Sequence, residues 1–306
     1  NIPWGENNNS FFKLNMFNSN RNIKKAFYPR RNDQLDKKTN PNDIKCIEGE
    51  VRIVSVDVAT RKGSQNDNTI ITCIRALPTS KGYEREFVYT EHHQGEHTEK
   101  QALRIKQIYA DFMADYIVLD LQQAGITIFE RLASVTKDEE RGVEYEAFTV
   151  YEHRSLSNAL IEELKEKTLA INAKPIIYPI LADAKMNNDI AIDLRDKMQR
   201  RVCSFLVDEN SAEDFLSQHN KEFKNAEDVN LINWYLNPYL ETQLLINESI
   251  NLEQAFTKGY IQLKTIGTAR KDRYISAAYG NYFISILELE LLKETDDDYD
   301  FIFSYS

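Results

Sequence analysis

One aspartate, Asp57, interrupts the apolar run EGEVRIVSVDVAT at its centre, and this single feature restricts how the chain can fold. The Val- and Ile-rich stretch has the composition of a strand. A carboxylate buried within such a strand costs several kcal/mol unless a cation or hydrogen bonds meet it. The fold must therefore bring partners to Asp57. The segments NTIITCIRAL and REFVYTEHH follow at hairpin spacing, with KGSQND and PTSKGYE as turns, so three successive strands forming an antiparallel meander are expected.

Residues 98–113 carry apolar side chains near helical spacing behind Thr98, whose hydroxyl can cap the first turn. The short apolar strand DYIVLD comes next and ends on Asp120, and AGITIFERLASV reads as a second helix. A strand, helix, strand succession implies that the Asp120 strand runs parallel to the Asp57 strand. A carboxylate at that strand's C-terminal edge can reach a site outside the sheet. Farther on, EYEAF and CSFLV read as strands, and AKPIIYPIL as an apolar segment. MNNDIAIDLRDKMQRR and residues 228–252 read as helices, and GYIQLKTI as a hairpin arm. The last helix, DRYISAAYGNYFISILELELL, opens on Asp272, where the helix dipole and a capping position both favour a negative side chain.

Of the 306 residues, 42% are apolar and 11% aromatic, enough for a sizeable core. No apolar run approaches the roughly 20 residues of a membrane span, and the Asn-rich beginning lacks the apolar centre of a signal peptide. Cys46, Cys73 and Cys203 are too scattered for a zinc site or a disulfide framework. A soluble protein of a reducing cytoplasm, without a membrane partner, is expected. The net charge of −10 argues against a protein that coats nucleic acid, although an enzyme that gathers carboxylates around metal can be acidic overall and bind DNA locally. Three regions are expected: an irregular, Asn- and Pro-rich arm over 1–45, a regular domain over 46–292, and an acidic, aromatic tail over 293–306.

Each of Asp57, Asp120 and Asp272 has an ordinary reading as a turn former or helix cap. Together, on the first strand, the strand after the first helix, and the last helix, they match what two-metal phosphodiester cleavage requires. Two hard cations roughly 4 Å apart need bridging and flanking oxygen ligands, and carboxylates suit Mg2+ or Mn2+. Asp57, at the centre of the sheet, is expected to bridge both ions, with Asp120 and Asp272 completing one each.

VSVDVATRKGSQNDNTI, with Asp57 followed by a glycine and by Asp67 and Thr69, resembles the first nuclease motif of phage terminase large subunits. YIVLDLQQAGITIFERL, with Asp120 and then Gly125 opening the helix, resembles the second, and TARKDRYISAAYGNYFI the third. PIIYPILADAKMNNDIAIDLRDKMQRRVCSFLV is similar to the segment between the second and third motifs, and NIPWGENNNSFFK to the end of the family's ATPase domain and its linker. The resemblance spans nearly the whole chain, and its specificity lies in the order of motifs. It implies an α/β fold of RNase H-like type, a mixed central sheet flanked by helices, and Mg2+- or Mn2+-dependent cleavage of concatemeric double-stranded viral DNA during packaging. It also implies a portal and a small terminase subunit as partners, and work in the host cell cytoplasm. Many relatives carry a second acidic residue beside the third catalytic aspartate, where this chain has Lys271 and Arg273. Asp67 could supply the missing ligand, with an Asx-turn as its commoner role.

No G-x-x-x-x-G-K-[ST] motif occurs, so an ATP-driven motor is expected upstream and the chain to be a fragment or a separated domain. Arg270, Lys271 and Arg273 around Asp272 are candidate contacts to the DNA backbone. Arg195, Lys197, Arg200 and Arg201 form a second basic group, for which surface helix charge is an equal alternative. His92, His93 and His97 offer metal-ligand types, but adjacent histidines on a strand point to opposite faces, which favours a solvated turn or a phosphate contact over zinc. Two competing readings stand beside the packaging nuclease. One is another RNase H-like enzyme, of Holliday-junction resolvase or transposase type; the other is a structural packaging module whose carboxylates only cap and hydrogen-bond.

Overall fold

The apolar run around Asp57 lies inside an eight-stranded mixed sheet in the computed structural model, which describes residues 9–35, 40, 43–58, 68–94, 97–122, 124–265, 267 and 270–303, the last of these from 292 onward by backbone alone. In chain order a short helix α1 (Leu14–Asn18) and strand β1 (Arg21–Ile23) precede the meander of β2 (Val51–Asp57), β3 (Asn68–Thr79) and β4 (Gly82–Gln94). Helix α2 (Thr98–Phe112), β5 (Tyr116–Asp120) and α3 (Gly125–Leu132) follow, then β6 (Thr136–Asp138), β7 (Val143–Tyr145) and β8 (Phe148–Val150). The remainder is α4 (Asn158–Glu166), β9 (Lys174–Ile180), α5 (Ala184–Gln199), β10 (Cys203–Leu206), α6 (Glu209–His219), α7 (Lys221–Lys224) and α8 (Val229–Ile250). A hairpin of β11 (Leu252–Thr257) and β12 (Tyr260–Thr265) leads to α9 (Asp272–Phe303).

The sheet order is β1-β10-β4-β3-β2-β5-β9-β8. β3 is antiparallel to both of its neighbours, and β5 is parallel to β2, as the strand–helix–strand succession requires. β2 is buried from Arg52 to Asp57, so both of its faces are covered. Ile105, Ile108 and Phe112 of α2 with Ile128 and Phe129 of α3 pack on one face, against Val54, Val56, Ile117 and Leu119. Ala277, Ala278, Phe283 and Ile284 of α9 and Ile190 and Leu194 of α5 cover the other, against Ile53, Val118 and Ile180. A smaller core joins Tyr28 to Leu216, Tyr235 and Tyr239. Among the described residues no helix is long and apolar enough to cross a membrane.

Before position 46, where an irregular arm was expected, the described residues pack with the sheet: Phe11, Phe12 and Phe17 are buried in the α9-side core, and β1 is an edge strand paired to β10. The elements here span three to five residues, too short to show any period in a sequence full of asparagine. At the other end, α9 runs on to Phe303, so the acidic cluster continues a helix instead of starting a tail at 293.

Candidate active site

Asp57 and Asp120 end adjacent parallel strands. Val56 is level with Leu119, and Asp120 with Ile180 of β9, so the two aspartates sit at one edge of the sheet. Side chains alternate along a strand, and Ile53 and Val118 face α9; Asp57 and Asp120, four and two residues on, therefore point to that same face. Both are almost enclosed, 8% and 7% exposed. Asp120 Oδ1 accepts the Gln122 backbone N–H at 2.9 Å, and Gln122 Nε2 donates to Ala182 O at 2.9 Å, which fastens this strand end to the segment leading into α5. Gly125 is required by contact: a Cβ there would lie 1.8 Å from the Asp120 carbonyl oxygen. Only glycine lets α3 start so close to the strand end.

Burial pushes the Asp57 carboxyl well above the usual carboxylate range, and the negative charges of Asp120 and Asp272 add to the push; Lys271 opposes it, and Glu248 reinforces it. Burial also raises Asp120, against the Gln122 N–H and a hydrogen bond from Asp57. Tyr279, two helical turns beyond Asp272, is pushed up by burial and then by the same two aspartates, which places its hydroxyl in their surroundings.

Asp272 reaches this edge because α9 is locked in register to the sheet. Ser55 Oγ donates to Ser276 O at 2.7 Å, and Ser276 Oγ donates to Ser55 O at 2.9 Å and shares a 2.8 Å hydrogen bond with the Thr72 hydroxyl. Ser55 is two residues before Asp57, and Ser276 one turn after Asp272. Gly280 continues the close approach: a Cβ there would meet Ile74 Cδ1 at 2.4 Å and Ser55 Cβ at 3.0 Å.

The first helical hydrogen bond of α9 runs from Ile275 N to Lys271 O, so Lys271 occupies the N-cap position and Asp272 the first helical one. The N–H groups of Arg273 and Tyr274 are met by Glu248 of α8, at 2.8 and 3.4 Å. The Arg273 side chain, 6% exposed, bridges two glutamates: Nη1 to Glu248 at 2.8 Å and Nε to Glu241 at 2.6 Å. Glu241 also holds His92 Nδ1 at 2.6 Å. Burial raises the Glu248 carboxyl, against Arg273, and Asp272 raises it further.

The candidate residues therefore separate. Asp120 and Asp272 both lie within electrostatic reach of Asp57, as does the exposed Lys271, with the half-buried Arg270 next in the chain. Arg273 is turned inward and engaged by Glu241 and Glu248, which does not fit the expected DNA contact. Arg200 and Arg201 precede β10, which begins level with Arg85, whereas His92, level with Asp57 through Ile70, lies seven residues farther along β4. At about 3.4 Å per residue this puts them about 24 Å away along the strands, at the opposite edge of the sheet. Asp67 falls outside the described residues. His92 and His93 face opposite ways, to Glu241 and to Glu91, which Arg104 also binds. Among the described residues no three His, Cys, Asp or Glu side chains are gathered closely enough to grip one metal ion as they stand. Glu241, Glu248, Ser276 and Tyr279 went unread in the sequence. Tyr279 alone had a signal there, its seven-residue spacing from Asp272.

Residues 54–175 match the family model of the terminase RNaseH-like domain. No curated protein matches the chain. Three solved structures illustrate its structural similarity. The large terminase nuclease from thermophilic phage G20c with bound magnesium is 13% identical, with a TM-score of 0.47 over 90% of this chain and 98% of that one. The nuclease domain of the large terminase subunit gp2 of bacterial virus Sf6 is 9% identical, with a TM-score of 0.41 over 89% and 98%. The HK97 bacteriophage large terminase is 8% identical, with a TM-score of 0.42 over 89% of this chain and 43% of that one.

Proposed function

We propose, from the match of residues 54–175 to the family model of the terminase RNaseH-like domain, that this chain is a metal-dependent endodeoxyribonuclease that cuts concatemeric double-stranded DNA for a viral packaging motor. One observation carries the reading: two aspartates end adjacent parallel strands on one face, and a register-locked helix offers a third within electrostatic reach of Asp57. Asp57, Asp120 and Asp272 would hold Mg2+ or Mn2+. The donor set fits a hard cation, because its oxygens are anionic and the charge repulsion that raises Asp57 is what a divalent ion removes. When bound, the ion supplies Lewis acidity toward a phosphoryl oxygen and a water made acidic enough to attack it.

The chain's own residues do the rest. β2 and β5 fix two carboxylates against a rigid sheet, so little reorganisation is left for the reaction. Lys271 and Arg270, at the mouth, steer a phosphodiester backbone toward the acidic edge and lower the repulsion between it and the site. Among the described residues nothing at this edge resembles a base-reading element, which fits cleavage with weak sequence preference. An upstream ATPase domain, a portal, a small terminase subunit and the host cell cytoplasm belong to the same proposal and rest on the family resemblance.

The test is nicking of supercoiled plasmid across Mg2+ and Mn2+ titrations, with linear duplex and a four-way junction assayed side by side. The expected result is cation-dependent cleavage of duplex that Asp57→Asn abolishes with the fold intact. A fully active Asp57→Asn protein sinks the assignment. Cleavage confined to the junction favours a resolvase, and no cleavage under any cation favours a structural module.

A further inference from the structure

We infer that Arg273 and Glu248 are positioning residues that hold Asp272 in place for the metal, and that they set cation affinity instead of DNA affinity; this rests on the metal-nuclease reading above. A helix that begins on an aspartate commonly uses that aspartate as its own cap. Here the cap comes from another helix: the Glu248 carboxylate of α8 receives the N–H groups of Arg273 and Tyr274. The same carboxylate binds the Arg273 guanidinium, and Arg273 reaches on to Glu241, which in turn holds His92 on β4. The residue following Asp272 is thus tied by backbone and side chain to α8. One turn later the helix is tied to β2 and β3 through Ser276.

Electrostatics explain why the tie needs an arginine. Glu248 adds negative charge to a site that already gathers three aspartates, and Glu241 is almost wholly buried. One guanidinium spanning both glutamates offsets one of their two negative charges and leaves the cap in place. A lysine keeps the charge but is a single point that cannot span two carboxylates with a fixed fork. The 43%-exposed His92 side chain is the outer end of this chain of contacts, about two strand spacings, roughly 10 Å, from Asp57.

The experiment compares wild type with Arg273→Lys, Arg273→Gln and Glu248→Gln by three readouts: Mn2+ binding followed by calorimetry or electron paramagnetic resonance, duplex binding in EDTA over a salt series, and thermal denaturation without metal. Removing a partner that orients a metal ligand typically weakens affinity about 10–100-fold. Expected here is a loss in that range for Arg273→Gln and Glu248→Gln, partial recovery in Arg273→Lys, and an unchanged salt slope for DNA. A salt slope flattened by about 0.9 with Mn2+ affinity intact would make Arg273 a phosphate contact and overturn the inference. A lowered melting temperature with Mn2+ affinity intact would make the clamp merely structural and also overturn it. If Arg273→Gln does not fold, Arg273→Lys and Glu248→Gln decide by the same criteria. Wild type that takes up no Mn2+ would refute the metal reading itself, whereas normal uptake by wild type and variants alike refutes this inference alone.

Discussion

Gly125→Ala tests whether the placement of Asp120 is what the fold is built to deliver. The added Cβ would sit 1.8 Å from the Asp120 carbonyl oxygen and 2.7 Å from its carbonyl carbon. Carbon and oxygen atoms without a bond between them rest at about 3.3–3.6 Å, so the start of α3 and the end of β5 must part by about 1.5 Å. No rotamer change can absorb this, because the obstructing atoms are backbone. Alanine gains up to about 1 kcal/mol of helix propensity over glycine, whereas overpacking typically costs about 1–3 kcal/mol; a modest net loss of stability is expected. The functional loss should be disproportionate. A misplacement of about 1 Å can cost about 100-fold in rate, and here it falls on the residue that carries the carboxylate. The assay is plasmid nicking in Mn2+ alongside thermal denaturation. Leu132→Ala serves as the comparison: it opens a cavity at the far end of α3, where Leu132 is wholly buried, at a cost of about 2–5 kcal/mol, yet leaves the Asp120 carbonyl alone. Below its own melting temperature Leu132→Ala should nick normally, and Gly125→Ala should not. If the less stable Leu132→Ala loses activity and Gly125→Ala keeps it, the reasoning fails.

Three further outcomes are expected. Ser276→Ala leaves the Ser55 carbonyl and the Thr72 hydroxyl without their shared partner; it should destabilise the protein by about 1–3 kcal/mol, read by chemical denaturation, and lower nicking more than that loss explains. Arg200→Gln with Arg201→Gln should leave the salt slope of duplex binding unchanged, whereas Lys271→Gln should flatten it, because Lys271, unlike Arg200 and Arg201, stands at the carboxylate edge. Glu288 is pushed up by burial, but hydrogen bonds from Arg85 and Lys197 outweigh this and hold it at about 2, below its ordinary 4.5. Its folded form is therefore the better acid. The stability it contributes is present above pH 4.5 and is lost as pH falls toward 2, so acid melting of Glu288→Gln should show a shallower decline over that window than wild type.

The residues whose placement was legible in the sequence are those whose neighbours in space are set by neighbours in sequence. Asp120 was expected at a strand end and Asp57 in mid-strand; β2 instead stops at Asp57, and because the strand–helix–strand connection makes the two strands parallel, both aspartates come to one edge. Gly125 was legible as the residue that opens α3 and illegible as the one residue the Asp120 carbonyl tolerates, because the contact depends on an angle that no pattern carries. The aromatic residues before position 46 failed for a different reason. Phe11, Phe12 and Phe17 pack against α9 and β10, which lie far along the chain, and short elements leave no periodicity to flag them.

Arg273 shows why charge beside a candidate site is ambiguous until the partners arrive. In the sequence it stands between Asp272 and an apolar helix, next to Lys271, and the three basic residues from 270 to 273 look alike. The fold separates them through α8: Glu241 and Glu248 are seven residues, two turns, apart on that helix, so both point at the start of α9, and only Arg273 is aimed back at them. Lys271, two positions earlier, is at the exposed cap. A helix surface advances about 100° per residue, so Lys271 and Arg273, two positions apart, are turned about 200° from each other, one toward solvent and the other toward the protein. Which does which depends on where the acceptors lie, and those come from a segment more than twenty residues upstream. A buried arginine spanning two glutamates fixes the position of the helix start that carries Asp272; an exposed lysine beside the carboxylates offers its charge to whatever approaches from solvent. The basic cluster next to the third aspartate is therefore two devices, one facing the protein and one facing solvent.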